Sequence, residues 1–219
     1  MRAMSYERRR FLFILLTALA VVIAGLWGMV LPAPRAVLET LSPKSASSVR
    51  VAALLAAYQG TSTLGVVQKT TGCQVTGSLP DSACTPGAVF PNAAPAAICV
   101  PGYTKQVRSV SVKLKKQIYT AYGLAYPPPT GTYELDHLVP LALGGSNDAA
   151  NLFPEAASPT PGFKEKDVVE VYLYQEMCAG HIQQAAAQVQ IASNWLAVYQ
   201  ALDPNDIASL KSKYKSWAN

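Results

Sequence analysis

The sequence predicts an α+β fold: a short β-hairpin unit embedded in helices, preceded by one N-terminal transmembrane helix. Three observations predict it. The run Phe11–Leu31 holds 21 residues without a charge, directly after Arg8, Arg9 and Arg10. Two short β-like runs, Tyr133–Val139 and Leu141–Leu143, are broken by Pro140 and followed by the turn cluster Gly144-Gly145-Ser146-Asn147. Beyond Pro161-Gly162, apolar residues recur at helical spacing to the end of the chain.

Composition narrows the class further. With 219 residues, 50% hydrophobic and 14% charged, the chain is too apolar for a disordered protein and long enough for one domain with a buried core. The net charge is +5, but it is unevenly placed. Residues 1–44 carry six basic side chains against two acidic ones, whereas residues 99–219 carry ten of each sign. The basic excess is therefore a topology signal at the N-terminus and says little about a ligand of the body.

As a helix rising about 1.5 Å per residue, the apolar run reaches roughly 30 Å, the thickness of a bilayer core. Its basic flank holds the N-terminus in the cytoplasm and places the body outside, anchored in the inner membrane and facing the periplasm or cell surface. A cleaved signal peptide shares these cues and would give a secreted body, although Pro32-Ala33-Pro34-Arg35 offers a poor cleavage site. The chain then divides into a cytoplasmic N-terminus (1–10), an anchor or signal (11–31), a linker and loop-rich segment (32–80) and a folded domain (81–219). Cys73, Cys84, Cys99 and Cys178 contain no C-x-x-C pair and read as two disulfides of an exported domain. Three pairings exist. The expected one joins Cys73 to Cys84 in a local loop and Cys99 to Cys178 across the body.

Within the body, a short helix is expected at Val49–Tyr58, and Val107, Val110, Leu114, Ile118 and Tyr122 mark a second that ends at Gly123. The C-terminal helices are expected at Phe163–Cys178, at Ile182–Tyr199, and from Asp203-Pro204, where an N-cap precedes proline at the first helical position. The chemistry lies between these two sets of helices. Glu134-Leu135-Asp136-His137 and Asn151-Leu152-Phe153-Pro154-Glu155 put a carboxylate, an imidazole and an asparagine into one unit. Those are the parts of metal-assisted phosphodiester hydrolysis. A carboxylate holds a hard divalent cation, Mg²⁺ or Mn²⁺, against the phosphate. A histidine with an ordinary pKa near 6.5 takes the proton from water, and an asparagine fixes it without adding charge.

In these motifs the sequence resembles the HNH endonucleases, whose shared core is the ββα-metal fold. It resembles more closely a group of small exported bacterial HNH proteins with C-x-P-G-Y-T, Y-E-x-D-H-L-x-P-L-x-L-G-G-S-N-D, N-L-x-P-E, K-D and C-x-G. Here these stand at Cys99–Thr104, Tyr133–Asp148, Asn151–Glu155, Lys166-Asp167 and Cys178–Gly180, and Ile191–Trp195 matches too. The resemblance spans Asp81 to Trp195, about half the chain. It implies a ββα-metal (HNH-type) core of hairpin and helix, and an endonuclease cutting DNA, or RNA, outside the cytoplasm. Asp136 would be the metal ligand, His137 the general base and Asn151 the residue orienting loop and base, with Gly144-Gly145 reversing the hairpin. Strand geometry sets a condition: adjacent residues face opposite sides, so Asp136 and His137 share a site only where the strand ends or distorts.

The following helix departs from the family pattern. Where relatives read approximately H-x-K-D-x-x-E-N-x-L-H, this chain has Lys164, Val171 and Tyr174 in place of the two histidines and the asparagine. None of these replaces a hard-cation ligand well. Asp167, with Glu170, is the expected substitute oxygen, and Lys164 and Lys166 are alternatives that would bind the phosphate of a nucleic acid directly. Expected partners are therefore a nucleic acid and, through residues 11–31, the membrane. The alternative reading is a non-catalytic, membrane-anchored HNH-like module that binds nucleic acid or an envelope partner over a decayed metal site. A secreted toxin is a third reading.

Overall fold

Helices carry the core. The computed structural model describes residues 46–57 and 64–217, within a compact unit running Lys44–Asn219. In chain order they form α1 (Ala46–Ala57), the short α2 (Pro95–Ile98) and α3 (Tyr103–Val107), α4 (Val112–Ala121), β1 (Tyr133–His137), β2 (Leu152–Ala156), α5 (Phe163–Cys178), α6 (Gln184–Ala201) and α7 (Pro204–Trp217). Val168, Val169 and Leu173 of α5 join Ile191, Trp195 and Val198 of α6 in the central cluster, with Val51 of α1 and Leu210 of α7. Each such side chain contributes about 1.5–3 kcal/mol on burial, so this cluster, not the strands, dominates stability.

Local signals set the helix bounds. Glu165 Oε2 accepts the Gly162 N–H (3.0 Å) at the start of α5, and Gly180 follows its end at φ +77°, a conformation costly for any side chain. Ser111 Oγ accepts the Leu114 N–H (3.2 Å) and opens α4. This cap divides the helix expected from Val107, because Arg108 is extended (φ −65°, ψ 114°) at the end of α3. In α6 the helix breaks at Asn194, whose Oδ1 caps the next segment through the Ala197 N–H (3.1 Å).

The strands pair antiparallel, Glu134 opposite Glu155, Asp136 opposite Phe153, and His137 opposite Leu152. Contrary to the expectation, Gly144-Gly145 does not close a tight hairpin. Residues 138–151 form a long connection with 3₁₀ turns at Leu141–Leu143 and Ala149–Asn151, so Leu141–Leu143 is not β either. The reason is Asn151. Its Oδ1 accepts the Val139 N–H (2.8 Å) and the Ala88 N–H (3.3 Å), while its Nδ2 donates to Val139 O (2.8 Å) and Ser146 O (2.9 Å). One fully buried amide thus ties three chain segments together. Gly145 is required where it stands, since a Cβ there would lie 1.7 Å from Val139 O.

The disulfides join Cys73 to Cys84 and Cys99 to Cys178, the expected pairing. Two other expectations are corrected. The α+β class with a ββα-metal core and a leading transmembrane helix gives way to a mostly α-helical core with a small two-stranded hairpin. Five-residue strands are too short to build a layer, and the helices bury the apolar residues. Among the described residues no helix is long and apolar enough to cross a membrane. Residues 11–31, on which the membrane partner, the inner-membrane anchoring and the extracytoplasmic or secreted placement rested, lie outside the described residues. The structure therefore lends those expectations no support.

Candidate functional site

The period-two alternation of β1 decides what can meet. Glu134 and Asp136 share one face with the paired Glu155 of β2, and Lys166 and Glu170, four apart on α5, point into that face. Lys166 is fully buried. Its ammonium donates to Asp136 Oδ2 (2.6 Å), to His137 O (2.9 Å) and to Glu170 Oε1, so all three of its donors are used. Asp136 Oδ1 also accepts the His137 N–H (2.7 Å).

Four carboxyls surround one ammonium, and burial does not tolerate a net negative charge. The protonation pattern follows. Burial pushes Asp136 up, but the Lys166 ammonium more than offsets it and holds the carboxylate below its ordinary range. Burial pushes Glu170 up to about 8, against the pull of Lys166 and with help from Asp136. Glu134 is likewise pushed up to about 8 by burial, then by Asp136 and Glu170. Glu155, 1% exposed, is raised well above the usual carboxylate range by burial, and neither of its oxygens has a well-formed hydrogen bond. Lys166 is held well above its ordinary value because Asp136, Glu170 and Glu155 outweigh its own burial. The cluster thus centres on one ion pair, Lys166 with Asp136, while burial favours the protonated forms of Glu134, Glu155 and Glu170.

Stability should therefore fall as the medium turns alkaline. Glu134 and Glu170 titrate near 4.5 when unfolded and near 8 when folded, so their contribution is complete below pH 4.5 and lost as pH rises through 8. His137 works in the opposite direction below 6.5, because burial lowers its pKa in the fold. Two carboxyls outweigh one imidazole. Urea unfolding should show a loss on the order of a few kcal/mol between pH 5 and 8.5, reduced in Glu170→Gln. A flat profile, or one that rises, would contradict this protonation pattern.

His137 faces the other side of the strand. Its Nε2 lies 3.1 Å from Asn147 Oδ1. The orientation of that amide follows from its other partners: Nδ2 donates to Val107 O (2.8 Å) and Oδ1 accepts the Ser109 N–H (3.2 Å). Oδ1 is therefore the acceptor, Nε2 carries the proton, and Nδ1 keeps its lone pair. At 3% exposure the ring is desolvated, which lowers its pKa despite Asp136 and Asn147, so it is a neutral base.

The residues expected at one site are thus distributed over several. Asp136 engages Lys166, and His137 engages Asn147, because adjacent strand residues diverge. Asn151 organises the connection and makes no hydrogen bond to His137; Asn147 takes that role. Asp167 is buried and raises Glu170 electrostatically. The sequence alone assigns no role to Glu134, Glu155 or Asn147. The 134/136 alternation carries a signal for Glu134, whereas Glu155 joins that face only through the strand register.

A divalent cation does not fit this donor set. The ammonium of Lys166 stands between Asp136 and Glu170, and burial raises Glu155 and favours its neutral form. Among the described residues no group of three or more His, Cys, Asp or Glu side chains could hold a metal. The expected metal-dependent extracytoplasmic endonuclease, with Asp136 as ligand, is accordingly corrected. So is the nucleic-acid partner. Lys166 has no exposed surface, and Lys164, exposed above the Phe163 ring at 6.0 Å, is left without it. Compared with family models, curated proteins and solved structures, the chain matches none.

Proposed function

We propose that the domain is a metal-free hydrolase, with His137 as general base and an ester of phosphoric acid as the bond cut. The observation behind this reading is the hydrogen-bond relay His137–Asn147–Val107, which leaves Nδ1 of a neutral imidazole as the basic atom. Nδ1 takes a proton from water as the oxygen attacks phosphorus. The P–O bond to the leaving group breaks, and the imidazolium returns its proton to the departing oxygen. Lys166 serves as the internal counter-charge that keeps Asp136 ionised beside the base.

The test is hydrolysis of bis(4-nitrophenyl) phosphate by the full chain in EDTA. His137→Ala should lower kcat/KM by about 10²–10⁴-fold. Asn147→Ala should lower it less, by about tenfold, as loss of an orienting bond does. Because His137 is held below its ordinary 6.5, the rate should persist below that pH. Folded protein with no rate above the His137→Ala background would overturn the reading. It would leave the Lys166 cluster a purely structural core, which the three spent donors of that lysine would also suit.

A further inference from the structure

We infer that Arg108 binds the anionic oxygen of the ligand beside His137, and that the ligand class is a tetrahedral oxyanion such as a phosphate ester. This rests on the hydrolase reading and supplies what that reading lacks, a cation that touches substrate. Lys166 cannot do so, being fully buried with every donor used.

Three features place Arg108. It lies between Val107, whose carbonyl accepts Asn147 Nδ2 (2.8 Å), and Ser109, whose N–H donates to Asn147 Oδ1 (3.2 Å). The same Oδ1 accepts from His137 (3.1 Å), so one amide positions the base and grips the backbone on both sides of the arginine. Second, Arg108 ends α3 in an extended conformation, tied by its N–H to Thr104 O (3.1 Å), and its side chain is exposed. Third, its charge reaches both His137 and Glu134. Neither neutralises it near neutral pH, since His137 is uncharged and Glu134 is largely protonated, and the one ionised carboxylate of the cluster, Asp136, is spent on Lys166. A planar guanidinium in that position can take two oxygens of a phosphoryl group at once.

Inorganic phosphate is the probe and the two histidines of the chain are the reporters. His181, bonded to Glu176 (3.2 Å) and 56% exposed, is the internal control. Phosphate added to the full chain, labelled with ¹⁵N in histidine, should shift the ring resonances of His137 and leave those of His181 in place. Arg108→Ala should weaken this response on the order of tenfold or more, as loss of a charge-assisted bond does. Arg108→Lys should weaken it less. The His137 resonances of each variant without phosphate report that the relay is intact, so loss of response is not loss of fold. An equal response in Arg108→Ala, or equal shifts of both histidines, would overturn the inference. The hydrolase reading fails separately: a phosphate response without diester hydrolysis leaves Arg108 standing and removes catalysis. Hydrolysis at unchanged KM in Arg108→Ala does the reverse.

Discussion

Lys166→Met is expected to destabilise the domain by about 3–5 kcal/mol at pH 7, lowering the melting temperature by roughly 6–20 °C for a domain of this size. The variant leaves the apolar stem in place and removes the ammonium. Asp136, ionised in the folded protein because Lys166 is 2.6 Å away, is then a partly buried charge without its counter-ion. His137 O loses a donor at 2.9 Å, and Glu170 loses its partner on the same helix. The deficit should shrink toward pH 4, where Asp136 can take a proton. The double variant Asp136→Asn/Lys166→Met should recover much of the loss, because an unpaired buried charge costs more than an apolar replacement of the pair. Thermal melts of the single and double variants decide it. A single variant as stable as the parent, or a double variant no better than the single, would show that the pair does not govern the cluster. Neither Mg²⁺ nor Mn²⁺ should raise the melting temperature of the parent protein.

Removing Cys99–Cys178 should cause a loss of similar size. The bridge spans 79 residues and Cys73–Cys84 spans 11, so loop-closure entropy assigns about 4–5 kcal/mol to the first and about 3 kcal/mol to the second. Geometry adds to the difference. Cys99 follows α2, where Ile98 is buried in the core, and Cys178 ends α5. Without the bridge, the segment that carries Arg108 and the helix that carries Lys166 lose a covalent tie. Urea unfolding of Cys99→Ser/Cys178→Ser beside Cys73→Ser/Cys84→Ser measures the two directly. The entropic account fails if the short bridge proves the costlier to remove.

Much of the local structure is legible in the residues themselves. Helix α5 spans Phe163–Cys178 as periodicity indicates, and α7 begins at Pro204, where proline fits an N-terminus. The kink at Asn194, by contrast, interrupts the helix that periodicity carries unbroken from Ile182 to Tyr199, because its side chain competes for backbone donors. The limit shows at Gly144-Gly145. Two glycines signal a turn, but the turn made is part of a connection held by Asn151 to Val139, Ser146 and Ala88, the last 63 positions away. A side chain that satisfies backbone groups so far off leaves no mark in its neighbours. Likewise, Asp136-His137 reads as one chemical unit because the residues are adjacent, yet adjacency on a strand is what separates their side chains.

By itself, then, the sequence determined elements that depend on short-range order: the proline start of α7 and the helical periods of the C-terminal half. Only the tertiary structure decided which cation neutralises Asp136 and which asparagine holds His137. The physical reason is range. Caps and periods act over about four residues, whereas the partner of Asp136 is 30 positions along the chain and arrives only when α5 docks on the hairpin. Burial at that junction then favours one ion pair and disfavours charge on the remaining carboxyls.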